Sequence, residues 1–306
     1  MNPPQSGFLD VAIETDPARI DADVAILGVP HGWPYPRPGA TAGCAEAPAA
    51  VRRASQRLAR FRGHWDFDLD APMLPSDGGP RIVDAGDVPG DPSDGPGNAA
   101  RTTEAVRAIL AAGATPICIG GDDSVPIPIL RAYEARGPIT VVQVDAHLDY
   151  RDEVDGVREG YSSPMRRASE MPHVERIIHV GLRGVGSARA EDVEDSRAAG
   201  NLLITARELH ERGVPWLLAQ IPAIYAVFLA FDVDGLDPSV LSAVSARAPG
   251  GIGYRQAVDL LAGLRGRLAG AAFTEYVPAL DPDGADALVG ARLVAVAIAA
   301  AGSPAH

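Results

Sequence analysis

The chain has little that would cross-link it, anchor it or draw it to a polyanion. Its 306 residues include two cysteines. Cys44 and Cys118 are far apart and form no C-x-x-C pattern, so neither a disulfide framework nor a thiolate zinc site has support, and a reducing cytoplasm is expected. No Lys/Arg-rich run offsets the excess of 40 acidic over 27 basic residues. A net charge of −13 and a pI near 4.9 argue against nucleic acid or an anionic membrane as partner and favour a cationic small molecule. The N-terminal MNPPQSGFLD has neither a basic nor an apolar segment, so no secretory leader is expected. The apolar LVAVAIAAAG near the C-terminus follows Arg292 and falls short of the roughly 20 residues a bilayer requires, which makes it a core helix.

With 46% hydrophobic and 22% charged residues the chain can bury a large core, and it reads as one domain over 1–306. Eight short apolar runs have strand character: 23–29, 81–86, 115–120, 139–146, 176–182, 201–205, 225–234 and 270–277. Between several of them lie segments whose apolar residues recur at three- and four-residue spacing and whose ends carry glycine, as in AEAPAAVRRASQRLAR and NAARTTEAVRAILAAG. Strands apolar on both faces and alternating with helices imply an α/β fold: a mainly parallel eight-stranded sheet in a three-layer αβα arrangement. Pro/Gly-rich stretches at 34–43, 71–80 and 87–98 read as loops rather than linkers.

In such a sheet ligands bind beyond the carboxyl ends of the strands, and acids collect there. Asp122 and Asp123 follow the third strand in GGDDS, and Asp145, His147 and Asp149 end the fourth in VDAHLD. Asp232 and Asp234 end the seventh in FDVDG, and Glu275 lies in the eighth. Alternate residues of an extended strand share a face, so D-x-H-x-D and D-x-D each converge if the strand continues through them. So many buried carboxylates repel one another unless a cation neutralises them, which predicts bound metal. Carboxylates with one imidazole suit Mn2+ or a similar divalent ion, and two ions can share bridging carboxylates. Asp122 alone is equally well read as a cap or turn residue.

These motifs resemble the ureohydrolase family of arginases and agmatinases over nearly the whole chain. GVP at 28–30 with PRPGA at 36–40 is similar to the agmatinase-type N-terminal signature, and DAGDVPGDP at 84–92 to the second-strand region. VDAHLD and FDVDGLDPS resemble the two metal motifs, APGGIGY at 248–254 the Pro-Gly-Gly segment, and TEYVPALDP at 274–282 the segment with the guanidinium-binding glutamate. The resemblance implies two Mn2+ ions, with Ni2+ as an alternative, held by Asp145, His147, Asp149, Asp232 and Asp234. It also implies a bridging hydroxide oriented by Asp149 that attacks a guanidinium held by Glu275, releasing urea and an amine. A homotrimer or homohexamer is implied as well, with a related partner subunit as a variant.

Two positions depart from the family pattern. Asp123 stands where GGDHS has a metal-binding His: as a sixth ligand it would add negative charge, making a bridging water harder to deprotonate and holding a cationic guanidinium more strongly, whereas turned away it would leave one ion weak or absent. Aligned on PMRRA, GYSSPMRRASE puts Tyr161 where the family has a proton-shuttling His. A phenol, with a reference pKa of about 10, donates a hydrogen bond but is a poorer shuttle than imidazole near 6.5. His31 is a candidate replacement shuttle, Trp33 with Tyr35 a candidate pocket mouth, and Arg151 with Arg158 candidate partners of a distal substrate carboxylate. Two other readings stay open: a deacetylase-like amidohydrolase using Tyr161, and a non-catalytic member or partner subunit. Which guanidine compound is taken is not encoded in any recognisable motif.

Overall fold

The structure, a computed structural model, describes residues 1–36, 43–75 and 77–302. Residues 37–40 of the PRPGA motif lie outside the described residues. The strands are β1 (Val24–Val29), β2 (Trp65–Asp66), β3 (Ala71–Pro72), β4 (Ile82–Asp87), β5 (Thr115–Gly120), β6 (Ile139–Val144), β7 (Val174–Leu182), β8 (Leu202–Thr205), β9 (Ala226–Asp232) and β10 (Leu268–Thr274). The helices are α1 (Ala47–Ala59), α2 (Gly95–Ala111), α3 (Pro126–Arg131), α4 (Pro164–Ser169), α5 (Ala190–Ala198), α6 (Ala206–Arg212), α7 (Val214–Gln220), α8 (Tyr254–Gly263) and α9 (Ala285–Ala301).

Eight strands form one sheet in the order β4-β1-β5-β10-β9-β6-β7-β8, every pairing parallel, while β2 and β3 make a separate antiparallel pair. The eight expected strands are these eight, with ends shifted by a few residues. Because neighbouring residues of a strand face opposite ways, β1 divides its side chains: Val24 and Ile26 join one apolar cluster, Ala25 and Leu27 the other. The first cluster is closed by α1, α8 and α9, the second by α2 and α3. Both faces of the sheet are therefore covered, giving three layers. LVAVAIAAA lies inside α9, buried along most of its length, with the following Gly302 as the C-cap, and among the described residues no helix is long and apolar enough to cross a membrane. The chain leaves β5 for β6 without pairing them, and β10 and β9 later fill the gap. Four central strands thus come from distant parts of the sequence and end side by side, the place where a doubly wound sheet opens a crevice.

Candidate active site

Three of those four strands stop just before their acids, and β9 ends on the first acid of its own motif. β5 ends at Gly120, β6 at Val144, β9 at Asp232 and β10 at Thr274. The D-x-H-x-D and D-x-D motifs therefore do not converge as extended strand. After Val144 the chain turns, and Asp149 takes a left-handed backbone with φ of 45°. Asp234 sits in a 3-10 turn over Val233–Gly235. Glu275 is also left-handed, with φ of 67°. Such a conformation is costly for a residue with a Cβ and persists only where surrounding contacts impose it, as at binding sites.

Those contacts are mostly backbone amides donating to the acids. Asp145 Oδ1 accepts from His147 N–H at 2.6 Å, Asp234 Oδ1 from Ala146 N–H at 3.1 Å, and Asp232 Oδ1 from Asp234 N–H at 2.7 Å. Glu275 Oε1 accepts from Asp123 N–H at 2.8 Å, tying β10 to the turn after β5. Gly235 lies so close to the Asp145 backbone that an added Cβ would meet its nitrogen at 2.8 Å, and so the two acidic turns are stacked. Arg183 braces the same turn, donating to the carbonyls of Asp234 at 2.6 Å, Leu236 at 3.0 Å and Ala248 at 2.8 Å. Asp122 behaves as the turn reading has it: its Oδ1 accepts from Ser124 N–H at 2.9 Å and from the Ser124 hydroxyl.

The ligand atoms converge in two groups, Asp145 with His147 and Asp234, and Asp123 with Asp145, Asp149 and Asp232; within each, the atoms lie within 4.8 Å of one another. Asp145 belongs to both. Desolvation and mutual repulsion push Asp123, Asp149 and Asp232 well above the usual carboxylate range, and desolvation raises Asp145 to about 6. Hydrogen bonds to Asp145 and Asp234 raise His147 to about 10, and desolvation raises Glu275 to about 8. Asp123 Oδ1 accepts from the Thr274 hydroxyl at 2.6 Å, whereas its Oδ2 is buried with no hydrogen-bond partner. A buried carboxylate oxygen without a donor, beside three other crowded acids, fits a divalent cation: the donors are hard oxygens plus one imidazole, and a positive charge among them would offset their mutual repulsion.

Asp123, His147, Asp149, Asp232, Asp234 and Glu275 line a cavity of about 310 Å³, together with Tyr161, Ser162, Gly186 and Ser245, while Asp145 is fully buried beside them. Tyr161 packs edge-on against Tyr35 with ring centroids 4.5 Å apart. Four sequence candidates are placed elsewhere, among them Arg158, which is exposed and paired with Asp152 at 2.8 Å. Trp33 lines a separate cavity against α2, His31 packs beside Gly90, and neither is among the described lining residues of the acidic cavity. Arg151 is buried and paired with Asp192 at 3.3 Å, held by an acid that also caps the start of α5. Reading the motifs missed Thr274, Arg183, Gln143 and His179. Gln143 and His179 did leave a signal, each a polar residue flanked by apolar ones, in VVQV and IIHV.

A model of the Arginase family matches residues 22–300. The chain is 33% identical over 295 residues to a guanidinopropionase of Pseudomonas aeruginosa, covering 94% of this chain and 88% of that protein. It is 30% identical over 297 residues to an agmatinase of Sodalis glossinidius, covering 94% and 90%. Among solved structures, a Trypanosoma cruzi formiminoglutamase with Mn2+ superposes with a TM-score of 0.83 at 25% identity, over 99% of this chain and 100% of that one. Proclavaminate amidino hydrolase from Streptomyces clavuligerus gives 0.81 at 25% identity, over 97% of each. With the acids of four strands gathered where these relatives share the fold, the chain belongs to the arginase family and is an amidinohydrolase of its agmatinase-like branch.

Proposed function

We propose that this protein hydrolyses the guanidino group of a small linear guanidine to urea and an amine, using two divalent ions, Mn2+ foremost. The observation that carries the reading is the convergence of Asp123, His147, Asp149, Asp232, Asp234 and Glu275 on one cavity, with the buried Asp145 joining both ligand groups. Asp145, His147 and Asp234 would hold one ion, and Asp123, Asp145, Asp149 and Asp232 the other. When bound, the metal pair supplies Lewis acidity and lowers the pKa of water to the neutral range.

The chain's own residues do the rest. Glu275, fixed by Asp123 N–H, receives the guanidinium, and the incoming cation returns its carboxyl to the charged form. The Asp149 carboxylate, set by its left-handed backbone, orients the attacking water. Tyr161, held by Tyr35 at the cavity wall, donates a hydrogen bond near the departing nitrogen. The departure at position 123 leaves the binuclear reading intact, because the carboxylate turns into the ligand group.

The test is metal content per chain together with urea release from agmatine, guanidinobutyrate, guanidinopropionate and arginine. Two ions and urea from at least one compound are expected. Metal-loaded protein that yields no urea from the panel sinks the reading, and amine release from acetylated amines would move it to amide hydrolysis. Glu275→Gln should lower kcat/KM for the preferred guanidine by at least about 100-fold, since breaking a buried charge pair costs about 3–5 kcal/mol. A loss under tenfold would remove Glu275 from that role.

A further inference from the structure

Two polar side chains lie where the strand pattern calls for apolar ones. Gln143 of β6 and His179 of β7 are both fully buried, and the parallel register sets them directly opposite one another. Gln143 Nε2 donates to Asp145 Oδ2 at 2.6 Å. That contact fixes the amide, because a carboxylate oxygen can only face the NH2 group. Gln143 Oε1 then faces His179 Nδ1 at 2.5 Å and must accept, so the imidazole carries its proton on Nδ1. His179 Nε2 is left as the acceptor, and the Ser196 hydroxyl of α5 lies 3.3 Å from it. Ser196 Oγ in turn accepts from Asn201 Nδ2 at 3.2 Å, and Asn201 Oδ1 accepts from Ile177 N–H at 3.2 Å.

Every donor from Asn201 onward points toward Asp145. Burying an amide, an imidazole and a hydroxyl is costly unless all are satisfied, and aligned hydrogen bonds in a low-dielectric interior polarise one another. Desolvation holds His179 down to about 3, so the ring stays neutral and its tautomer is not scrambled by protonation at working pH. The other oxygen of Asp145 accepts from His147 N–H. With one oxygen fixed by backbone and the other by this chain of side chains, the carboxylate plane has no freedom to turn. Asp145 is also the one residue common to both candidate ligand groups.

We propose that Gln143 and His179 are positioning residues: the Asn201–Ser196–His179–Gln143 hydrogen-bond chain fixes the carboxylate of Asp145 and thereby sets the affinity of the divalent-metal centre, an inference that rests on the metal reading of the site. Partners that orient a ligand in this way typically contribute about 10- to 100-fold in metal affinity. A role confined to packing would change stability and leave affinity per folded molecule alone.

The experiment is calorimetric titration of Mn2+ into chelator-stripped protein for the wild type, His179→Phe, Gln143→Leu and His179→Gln, with the His179 tautomer read from nitrogen chemical shifts in the wild type. His179→Phe and Gln143→Leu should each weaken binding about 10- to 100-fold. His179→Gln, which keeps an N–H toward Gln143, should restore most of that loss. The wild-type ring should be protonated on Nδ1. Unchanged affinity in both disruptive variants, or a ring protonated on Nε2, overturns the proposal while leaving the metal reading standing. A wild type that binds no Mn2+ overturns the metal reading and the proposal with it. Should His179→Phe fail to fold, Gln143→Leu and the wild-type tautomer decide.

Discussion

At position 123 the two carboxylate oxygens have unlike surroundings: one accepts from Thr274 at 2.6 Å, and the other is buried without a donor among Asp145, Asp149 and Asp232. An amide at that position would keep the Thr274 contact and lose the charge that offsets a divalent ion. Asp123→Asn should therefore retain the fold but lose about one metal equivalent per chain, by elemental analysis of dialysed protein. Two retained ions would show that Asp123 is a bystander. The sequence placed this residue correctly at the rim but gave no means of knowing which way it turns. Thr274 decides that, as a buried hydroxyl one residue before Glu275 on a strand 151 residues away.

At the scale of elements, the sheet and its helices were legible because periodicity reflects burial. Runs apolar on both faces became central strands, and LVAVAIAAAG became a core helix. The acidic motifs were legible as composition but not as geometry. Their convergence comes from turns with left-handed residues, at Asp149 and Glu275, which sequence spacing does not report. The same limit applies to the join between α1 and β4. Arg52 of α1 is almost wholly buried and grips Asp84 at 2.8 and 2.9 Å and Asp87 at 2.5 Å. Asp84 also accepts from Phe8 N–H at 2.9 Å, so one fully buried carboxylate pins a helix, a strand and the N-terminal segment. Arg52→Met leaves that carboxylate without its cation and should cost about 3–5 kcal/mol in urea unfolding. A change below about 1 kcal/mol would mean that solvent reaches Asp84 in the variant and compensates it.

For the whole molecule, two conditions should govern stability. The first is pH. His179 has a folded pKa lowered to about 3 against about 6.5 unfolded, so between these values the unfolded chain binds a proton that the folded one refuses. Its contribution is fully present above about pH 6.5 and is lost as pH falls toward 3. The loss should reach about 2 kcal/mol by pH 5. Denaturant midpoints of the wild type and His179→Gln should converge as pH falls from 7 to 5. A constant gap would show that the ring takes up its proton inside the fold. The second condition is metal. Free Mn2+ at a hundredfold over its dissociation constant stabilises by about 2.7 kcal/mol per site, so chelation should lower Tm by several degrees and Mn2+ should restore it. An unchanged Tm would mean that the acids reach neutrality without an ion.

By itself the sequence determined the layering, the single parallel sheet, the acids at strand ends and the family, because each is written in short-range pattern or in local motifs. Tertiary structure alone decided which acids fall into a common candidate ligand group, that Asp123 faces inward, that Trp33, His31 and Arg151 lie away from the described cavity lining, and that Gln143 meets His179. Those outcomes depend on strand order, β5 and β6 being separated by β10 and β9, and on parallel register, which sets residues 36 apart face to face. Neither quantity is a local property of the chain; both are fixed only when the two faces of the sheet bury their apolar side chains together.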